Sequence, residues 1–188
     1  AFFEIAANSF KETVEAEGGS VDVVYPEAAT ADAQIKVLDN LISQKPDAIC
    51  ISANDVNALQ AKLEEAMDAG IKVSSFDSAP NKDSRQVFVN QAGTKQVGQA
   101  LLDAVLDISG GEGQWAVLSA TSQAANQNAW IDAMKSIMEG DDKYSKLELV
   151  EVAYGDDEPQ KSTDQTAALL EKYPDLKVIC APTTVGIA

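Results

Sequence analysis

The fold class is decided by the stretch Leu41-Ile42-Ser43-Gln44-Lys45-Pro46-Asp47-Ala48-Ile49-Cys50-Ile51-Ser52-Ala53. Its first residues end a helical stripe, Pro46-Asp47 breaks the helix, and Ala48 to Ser52 is an apolar run typical of a buried strand. The stretch from Leu169 to Ala181 repeats this order without a gap. The repeat favours two similar lobes, although any link from a helix to a strand gives a related pattern.

The same alternation continues along the rest of the chain. Strands are predicted at Val21–Tyr25, Ala48–Ser52, Ile71–Phe76, Val87–Val89, Trp115–Leu118, Leu147–Ala153 and Lys177–Cys180. Helices are predicted at the start of the chain, at 31–45, from Asn54 or Asp55 to Gly70, from Thr94 to Ile108, at 126–139 and at 159–172. Strands that alternate with helices through short connections predict an α/β protein with parallel sheets flanked by helices.

Two lobes are expected, with the boundary at the glycine-rich stretch Gly110-Gly111-Glu112-Gly113. Residues 1–109 would form an N-terminal lobe that lacks its first strand, and 110–188 would form part of a C-terminal lobe. A hinge is expected near Asn90-Gln91 or at the glycines. The chain opens inside a helix and ends in a loop that enters another, so we expect it to be truncated at both ends.

Composition excludes several classes of function. Asp and Glu outnumber Lys and Arg by 30 to 14, for a net charge of −16, which disfavours binding to nucleic acid or to anionic membranes. The chain has no histidine and only one arginine, Arg85. The usual general base, the Ser-His and Cys-His pairs and most zinc sites are therefore missing. Cys50 and Cys180 both lie in apolar runs and are expected to be buried free thiols.

Ligands of open parallel sheets bind beyond the carboxyl ends of the strands. Four loops of this chain occupy such positions, at residues 52–55, 77–80, 120–127 and 181–184. Together they offer one carboxylate with amides, hydroxyls and backbone groups. This set suits a hydroxylated ligand, because amides both donate and accept hydrogen bonds and a carboxylate accepts strong ones.

The candidate ligand-binding residues each have a purely structural alternative. Asp77 follows a strand and could accept hydroxyl hydrogen bonds, or could cap the turn that follows. Asn126 and Gln127 could bind a sugar hydroxyl or begin a helix. Trp130 could stack on a sugar face or pack in the core. The last candidates, which could instead cap a helix, are Pro182, Thr183 and Thr184.

An enzyme, a cofactor or a metal ion has little support in the sequence. The acidic stretches Asp141-Asp142 and Asp156-Asp157-Glu158 lack the alternating spacing of a calcium loop. The glycines at 110–113 are not followed by the Lys-Ser/Thr of a phosphate loop. We therefore expect no catalytic residue, no cofactor and no metal.

Several stretches resemble one known family along essentially the whole chain. They are residues 71–78, 89–98, Asn126-Gln127-Asn128-Ala129-Trp130, 154–157 with 160–162, and Ala181-Pro182-Thr183-Thr184-Val185-Gly186-Ile187-Ala188. They resemble the type 1 periplasmic sugar-binding proteins of ABC importers, and the branch that holds the rhamnose-binding and autoinducer-2-binding proteins most of all.

The resemblance implies a hinged receptor whose two lobes close over a sugar. Asp77 matches the family's aspartate that holds sugar hydroxyls, and Pro182 and Thr184 match positions that contribute a carbonyl and an amide. Asn126-Gln127 stands where autoinducer-2 receptors carry Asp-Gln, which favours a deoxyhexose such as rhamnose. A pentose is disfavoured, because Asn126 and Thr183 stand where the ribose branch carries Arg and Asn. Asn90-Gln91, by contrast, is more similar to the sequences of the autoinducer-2 receptors.

The resemblance also implies the setting. The partners would be a small-molecule sugar and the membrane subunits of an ABC permease, and the receptor would be a monomer that binds no nucleic acid. Its location would be periplasmic or extracellular, and a lipid anchor is compatible with it. The alternatives are an autoinducer-2 receptor of the same family, the effector-binding domain of a sugar-responsive repressor, or an α/β sugar enzyme.

Overall fold

A computed structural model describes residues 2–188. The helices are α1 (Phe2–Ala16), α2 (Ala31–Gln44), α3 (Gln60–Asp68), α4 (Thr94–Ser109), α5 (Ala125–Gly140) and α6 (Pro159–Lys172). The strands are β1 (Ala48–Ile51), β2 (Lys72–Phe76), β3 (Val87–Val89), β4 (Gly113–Ser119), β5 (Leu147–Tyr154) and β6 (Leu176–Cys180). Short 3-10 helices lie at Lys82–Ser84 and Asp142–Tyr144.

The strands form two parallel sheets of three strands each. The first has the order β1-β2-β3 and the second the order β5-β4-β6, with every pairing parallel. This confirms the predicted α/β class with parallel sheets flanked by helices. Parallel strands have their carboxyl ends at one edge of a sheet, so the loops after the strands of each sheet lie together.

Each sheet has its own apolar core. In the first, Leu38 of α2 and Leu63 of α3 pack with Val73 of β2, and all three are almost fully buried. In the second, Trp115 and Met134 are fully buried within a cluster that also holds two residues of α4. Helix α4 therefore packs with the second sheet, although it precedes the glycines at 110–113. The chain passes from the first core to the second within residues 90–93.

The repeated helix-to-strand link has the same spacing at both places, although the two helices end in different backbone conformations. Helix α2 leads into β1, and α6 leads into β6, with only a few residues between helix and strand. Lys45 ends α2 with a φ of 54°, and its N–H donates to the Ile42 carbonyl at 3.1 Å. The weak sequence repeat therefore corresponds to one equivalent helix-strand unit in each half of the fold.

Two local predictions are wrong. Val21–Tyr25 is not a strand: it pairs with no strand of the described chain, and Val23, Val24 and Tyr25 are exposed. An apolar, β-branched run becomes a strand only where a neighbour satisfies its backbone. Helix α3 begins at Gln60, because Asp55 accepts the N–H groups of Asn57 and Ala58 in a turn before it.

Asp103 joins α4 to the 3-10 helix Asp142–Tyr144 on the outside of the second core. Its carboxylate accepts Lys143 Nζ at 2.7 Å and the Tyr144 hydroxyl at 2.6 Å. Lys143, with further donation from Tyr144 and Gln99, lowers the pKa of Asp103 to about 2. This network ties α4 to the segment that follows α5.

Both cysteines are free, as predicted. Cys180 in β6 is buried, and that burial raises the pKa of its thiol to about 11. Cys50 in β1 is half-buried and belongs to the other sheet. Over the described residues, no helix is both long and apolar enough to cross a membrane.

Candidate functional site

Asp77 is the first residue after β2 and lies at the carboxyl edge of the first sheet. Its backbone has a φ of 58°, in the left-handed region, which aspartate tolerates better than most residues. Its N–H donates to the Val89 carbonyl at 3.2 Å, so the turn is tied to the end of β3. Unusual backbone conformations of this kind are common at binding sites.

The Asp77 carboxylate receives hydrogen bonds from three separate parts of the chain. Gln91 Nε2 donates to Oδ1 at 2.5 Å, and Asn126 Nδ2 donates to the same oxygen at 3.2 Å. Ser52, the first residue after β1, donates its hydroxyl to Oδ2 at 3.2 Å. The carboxylate thus joins the first sheet, the segment that leads to α4, and the first turn of α5.

A cavity of about 190 Å³ opens beside this carboxylate. This is below the roughly 300 Å³ at which pockets for drug-sized ligands begin, so it suits a small molecule. Three of the predicted site residues line it together: Asp77, Asn126 and Trp130. Its other lining residues are Val56, Ala79, Phe88, Asn90, Gln91, Ala92, Thr94 and Ala125.

Helix α5 forms the wall of the cavity that belongs to the second lobe. Asn126 lies in its first turn and Trp130 one turn later, so both side chains are on the same face. Gly98 of α4 allows α5 to approach closely: a Cβ at Gly98 would lie 2.8 Å from the Ala133 Cβ and 3.1 Å from the Trp130 carbonyl oxygen. The contact between α4 and α5 therefore fixes where Asn126 and Trp130 stand.

The other predicted site residues do not line this cavity. Gln127 is half-buried in α5 but is not among the lining residues. Pro182 is buried and Thr184 is exposed in the loop after β6. The hydroxyl of Thr183 donates to a carboxylate oxygen of Asp157, in the loop after β5. Pro182, Thr183 and Thr184 thus lie at the carboxyl edge of the second sheet, and Gln127 follows Asn126 in α5.

Sequence reasoning missed several residues of the site. Phe88 was read only as part of a strand, yet it lines the cavity, and the Arg85 guanidinium lies 4.9 Å from its ring centroid. Gln91 was read as a hinge residue rather than a partner of Asp77. Asn90 and Gln91 carried a signal, because both follow the end of β3, and Ala79 and Ala125 lie in loops that were expected to bind a ligand.

The chemistry of the cavity is that of binding. It combines one carboxylate, several amides, a threonine hydroxyl and aromatic rings, and no Lys or Arg lines it. Amides and a carboxylate form hydrogen bonds with neutral hydroxyl groups, and aromatic rings cover the apolar faces of a ring-shaped ligand. Among residues 2–188, no group of three or more His, Cys, Asp or Glu side chains could hold a metal ion.

The chain matches one known family over its whole length. The periplasmic binding protein domain family matches residues 1–188. The chain therefore belongs to this family, and the family expected from the sequence is confirmed.

Two similar solved structures contain L-rhamnose and AI-2. A Clostridium phytofermentas ABC transporter solute-binding protein with bound L-rhamnose is 59% identical, with a TM-score of 0.94 over 96% of this chain and 56% of its own. LsrB of Clostridium saccharobutylicum in complex with AI-2 is 24% identical, with a TM-score of 0.88 over 98% of this chain and 59% of its own. At that identity, the LsrB likeness shows the fold alone.

Among curated proteins, the D-ribose/D-allose-binding protein of Pseudomonas aeruginosa is 25% identical over 95% of this chain. The chain spans 52% of the length of that relative and 56% of the rhamnose-bound protein.

Proposed function

We propose that this chain is part of an extracytoplasmic solute-binding protein that captures a sugar and delivers it to an ABC transporter. A deoxyhexose of the L-rhamnose kind is the favoured ligand. The observation that carries the proposal is a hydrogen bond from Asn126, in the second lobe, to Asp77, at the edge of the first sheet. Both residues line the same small cavity. A ligand in that cavity touches both lobes and stabilises their closed arrangement.

The walls of the cavity suit a deoxyhexose. Asp77, Asn90 and Asn126 offer hydrogen bonds to ring hydroxyls. The side chains of Val56, Phe88 and Trp130 are apolar and would cover a methyl group and the C–H face of the ring. The 59% identity to a protein that binds L-rhamnose supports this sugar above others.

The division into lobes is part of the proposal. We place the crossing between lobes at residues 90–93 instead of after residue 109, since Leu102 and Val105 of α4 belong to the second core. Asn90-Gln91, one of the two hinge positions expected from the sequence, then joins the lobes directly. Asp77 hydrogen bonds to this segment, so the ligand would be bound at the hinge itself.

Gln127, Pro182, Thr183 and Thr184 complete the proposed site from the second lobe. Gln127 follows β4, and the other three residues follow β6. The carboxyl ends of these two strands lie at the edge of the second sheet where α5 begins. Closure of the lobes around a sugar larger than the present cavity would bring these loops to its far side.

The remaining features of the proposal concern the setting. The whole protein would act outside the cytoplasm as a monomeric, non-enzymatic receptor, with or without a lipid anchor, and would present its closed form to the permease. Its charge of −16 opposes nucleic-acid binding, which argues against an effector domain of a DNA-binding repressor.

A thermal-shift panel on the full-length protein tests the proposal. The panel contains L-rhamnose, D-ribose, D-allose, D-glucose and autoinducer-2 in borate-free buffer. A ligand at 100 times its dissociation constant adds about 2.7 kcal/mol of stability, which gives an easily measured rise in Tm. A rise with L-rhamnose is expected. A rise with autoinducer-2 alone would replace the sugar with the signalling ligand, and no rise with any compound would overturn the receptor function.

A further inference from the structure

Asp77 has little unused capacity to accept hydrogen bonds. A carboxylate offers about four lone-pair positions, two on each oxygen. Oδ1 accepts both Gln91 Nε2 and Asn126 Nδ2, which fills its two positions. Among residues 2–188, only the Ser52 hydroxyl donates to Oδ2, so one position on Oδ2 is open to a ligand.

The bond from Gln91 is the shortest of the three, at 2.5 Å against 3.2 Å for the other two. Gln91 also differs from the other donors in its place along the chain, because it belongs to the segment of residues 90–93 that passes between the two cores. Asp77 is held to the start of this segment a second time, through its N–H bond to the Val89 carbonyl. Its side-chain direction is therefore set by the hinge segment.

We propose that Gln91 is a positioning residue, which fixes the Asp77 carboxylate so that the open position of Oδ2 faces a ligand hydroxyl. The proposal rests on the sugar-binding function proposed above and deepens it. Without Gln91, Oδ1 has an open position of its own, the carboxylate can rotate, and the ligand no longer meets one fixed acceptor. Gln91 then contributes to affinity through Asp77 rather than through a contact of its own.

A double-mutant cycle tests whether Gln91 affects ligand binding through Asp77. L-Rhamnose binding is measured by calorimetry for the full-length wild type, Gln91→Ala, Asp77→Asn and the double variant. We expect Gln91→Ala alone to weaken binding about tenfold, the scale of one hydrogen bond to a charged group. In the Asp77→Asn background the same substitution should change affinity less than twofold, because the group that it positions is already altered.

Two further variants sharpen the cycle. Gln91→Glu places a second negative charge beside Asp77 and should weaken binding more than Gln91→Ala does. Gln44→Ala is the matched control, since Gln44 is exposed at the end of α2 and does not line the cavity, and it should leave affinity within twofold. A tenfold effect of Gln91→Ala in both backgrounds, or no effect in either, overturns the proposal.

A second measurement keeps the test independent of the ligand. If the wild type binds no L-rhamnose, the proposed sugar is wrong, and the hydrogen bond can still be examined in the ligand-free protein. The side-chain NH2 signals of Gln91 in an amide NMR spectrum should shift in Asp77→Asn and stay in place in Asp47→Asn, an exposed aspartate at the other end of the sheet. Unshifted Gln91 signals in Asp77→Asn overturn the inference.

Discussion

Replacing Asp77 by asparagine removes the one negative charge that lines the cavity and changes little else. Asparagine tolerates the left-handed backbone that a φ of 58° requires, so the turn after β2 should persist. The new amide keeps one acceptor oxygen, but its NH2 group must face a neighbour that already donates, such as Gln91 or Asn126. The hydrogen-bond set around the residue can therefore be only partly kept.

The expected loss of sugar affinity follows from the kind of bond removed. A hydrogen bond to a charged group contributes about 1.5–3 kcal/mol and a neutral one about 0.5–1.5 kcal/mol. The loss of charge toward the ligand, together with the misplaced NH2 group, should cost about 2 kcal/mol, or roughly 30-fold in dissociation constant.

Calorimetric titration of L-rhamnose into the full-length protein measures this loss. Asp47→Asn is the charge-matched control, because Asp47 is exposed and lies before β1, at the opposite end of the same sheet. The control should bind as the wild type does. A dissociation constant for Asp77→Asn within threefold of the wild type, with a normal melting temperature, would refute the role given to Asp77.

The remaining predictions concern stability and thiol reactivity. Gly98→Val should lower the free energy of unfolding by about 2 kcal/mol in urea titrations, since its side chain would overpack the contact between α4 and α5. Lys143 and the neighbouring donors keep the pKa of Asp103 at about 2, below its usual 3.8. The stability that this carboxylate contributes is present above about pH 4 and is lost as the pH falls toward 2. Asp103→Asn should therefore flatten the acid limb of a Tm-against-pH curve; an unchanged limb would contradict it. In a Cys50→Ala variant, the buried Cys180 should react with a disulfide reagent at pH 8 only after urea is added.

Sequence reasoning was most successful where local chemistry alone determines an element. Helix α6 begins at Pro159 and ends at Lys172 as predicted, because proline fits the first turn of a helix and a second proline follows soon after its end. The strands of both sheets were found from apolar runs that are bounded by turn residues. The α/β class followed from their alternation with helices.

The failures lie where a residue's structure depends on distant neighbours. Val21–Tyr25 has the composition of a strand, but strand formation also needs a partner strand, which composition does not report. The lobe boundary expected at residues 110–113 stays a prediction; in the structure these residues form the turn after α4 and the first residue of β4. The side of the fold on which α4 packs is decided by contacts of Leu102 and Val105 that no local pattern reveals.

The candidate site was predicted in part for the same reason. Asp77 and Asn126 were found because each follows a strand, and a general rule places such loops at the carboxyl edge of their own sheet. Their hydrogen bond to each other, and the bonds from Ser52 and Gln91, depend on how the two lobes are set against one another. Residue type and spacing do not contain that information.

The central claim is that a sugar binds between the two lobes, held by Asp77 on one side and by Asn126 on the other. A crystal structure of the full-length protein grown with L-rhamnose tests it most directly. The account predicts one sugar in the cavity, with a ring hydroxyl on Asp77 Oδ2, a second hydroxyl on the Asn126 amide, and Trp130 against the ring. A sugar bound elsewhere, or one that touches only one lobe, would contradict it.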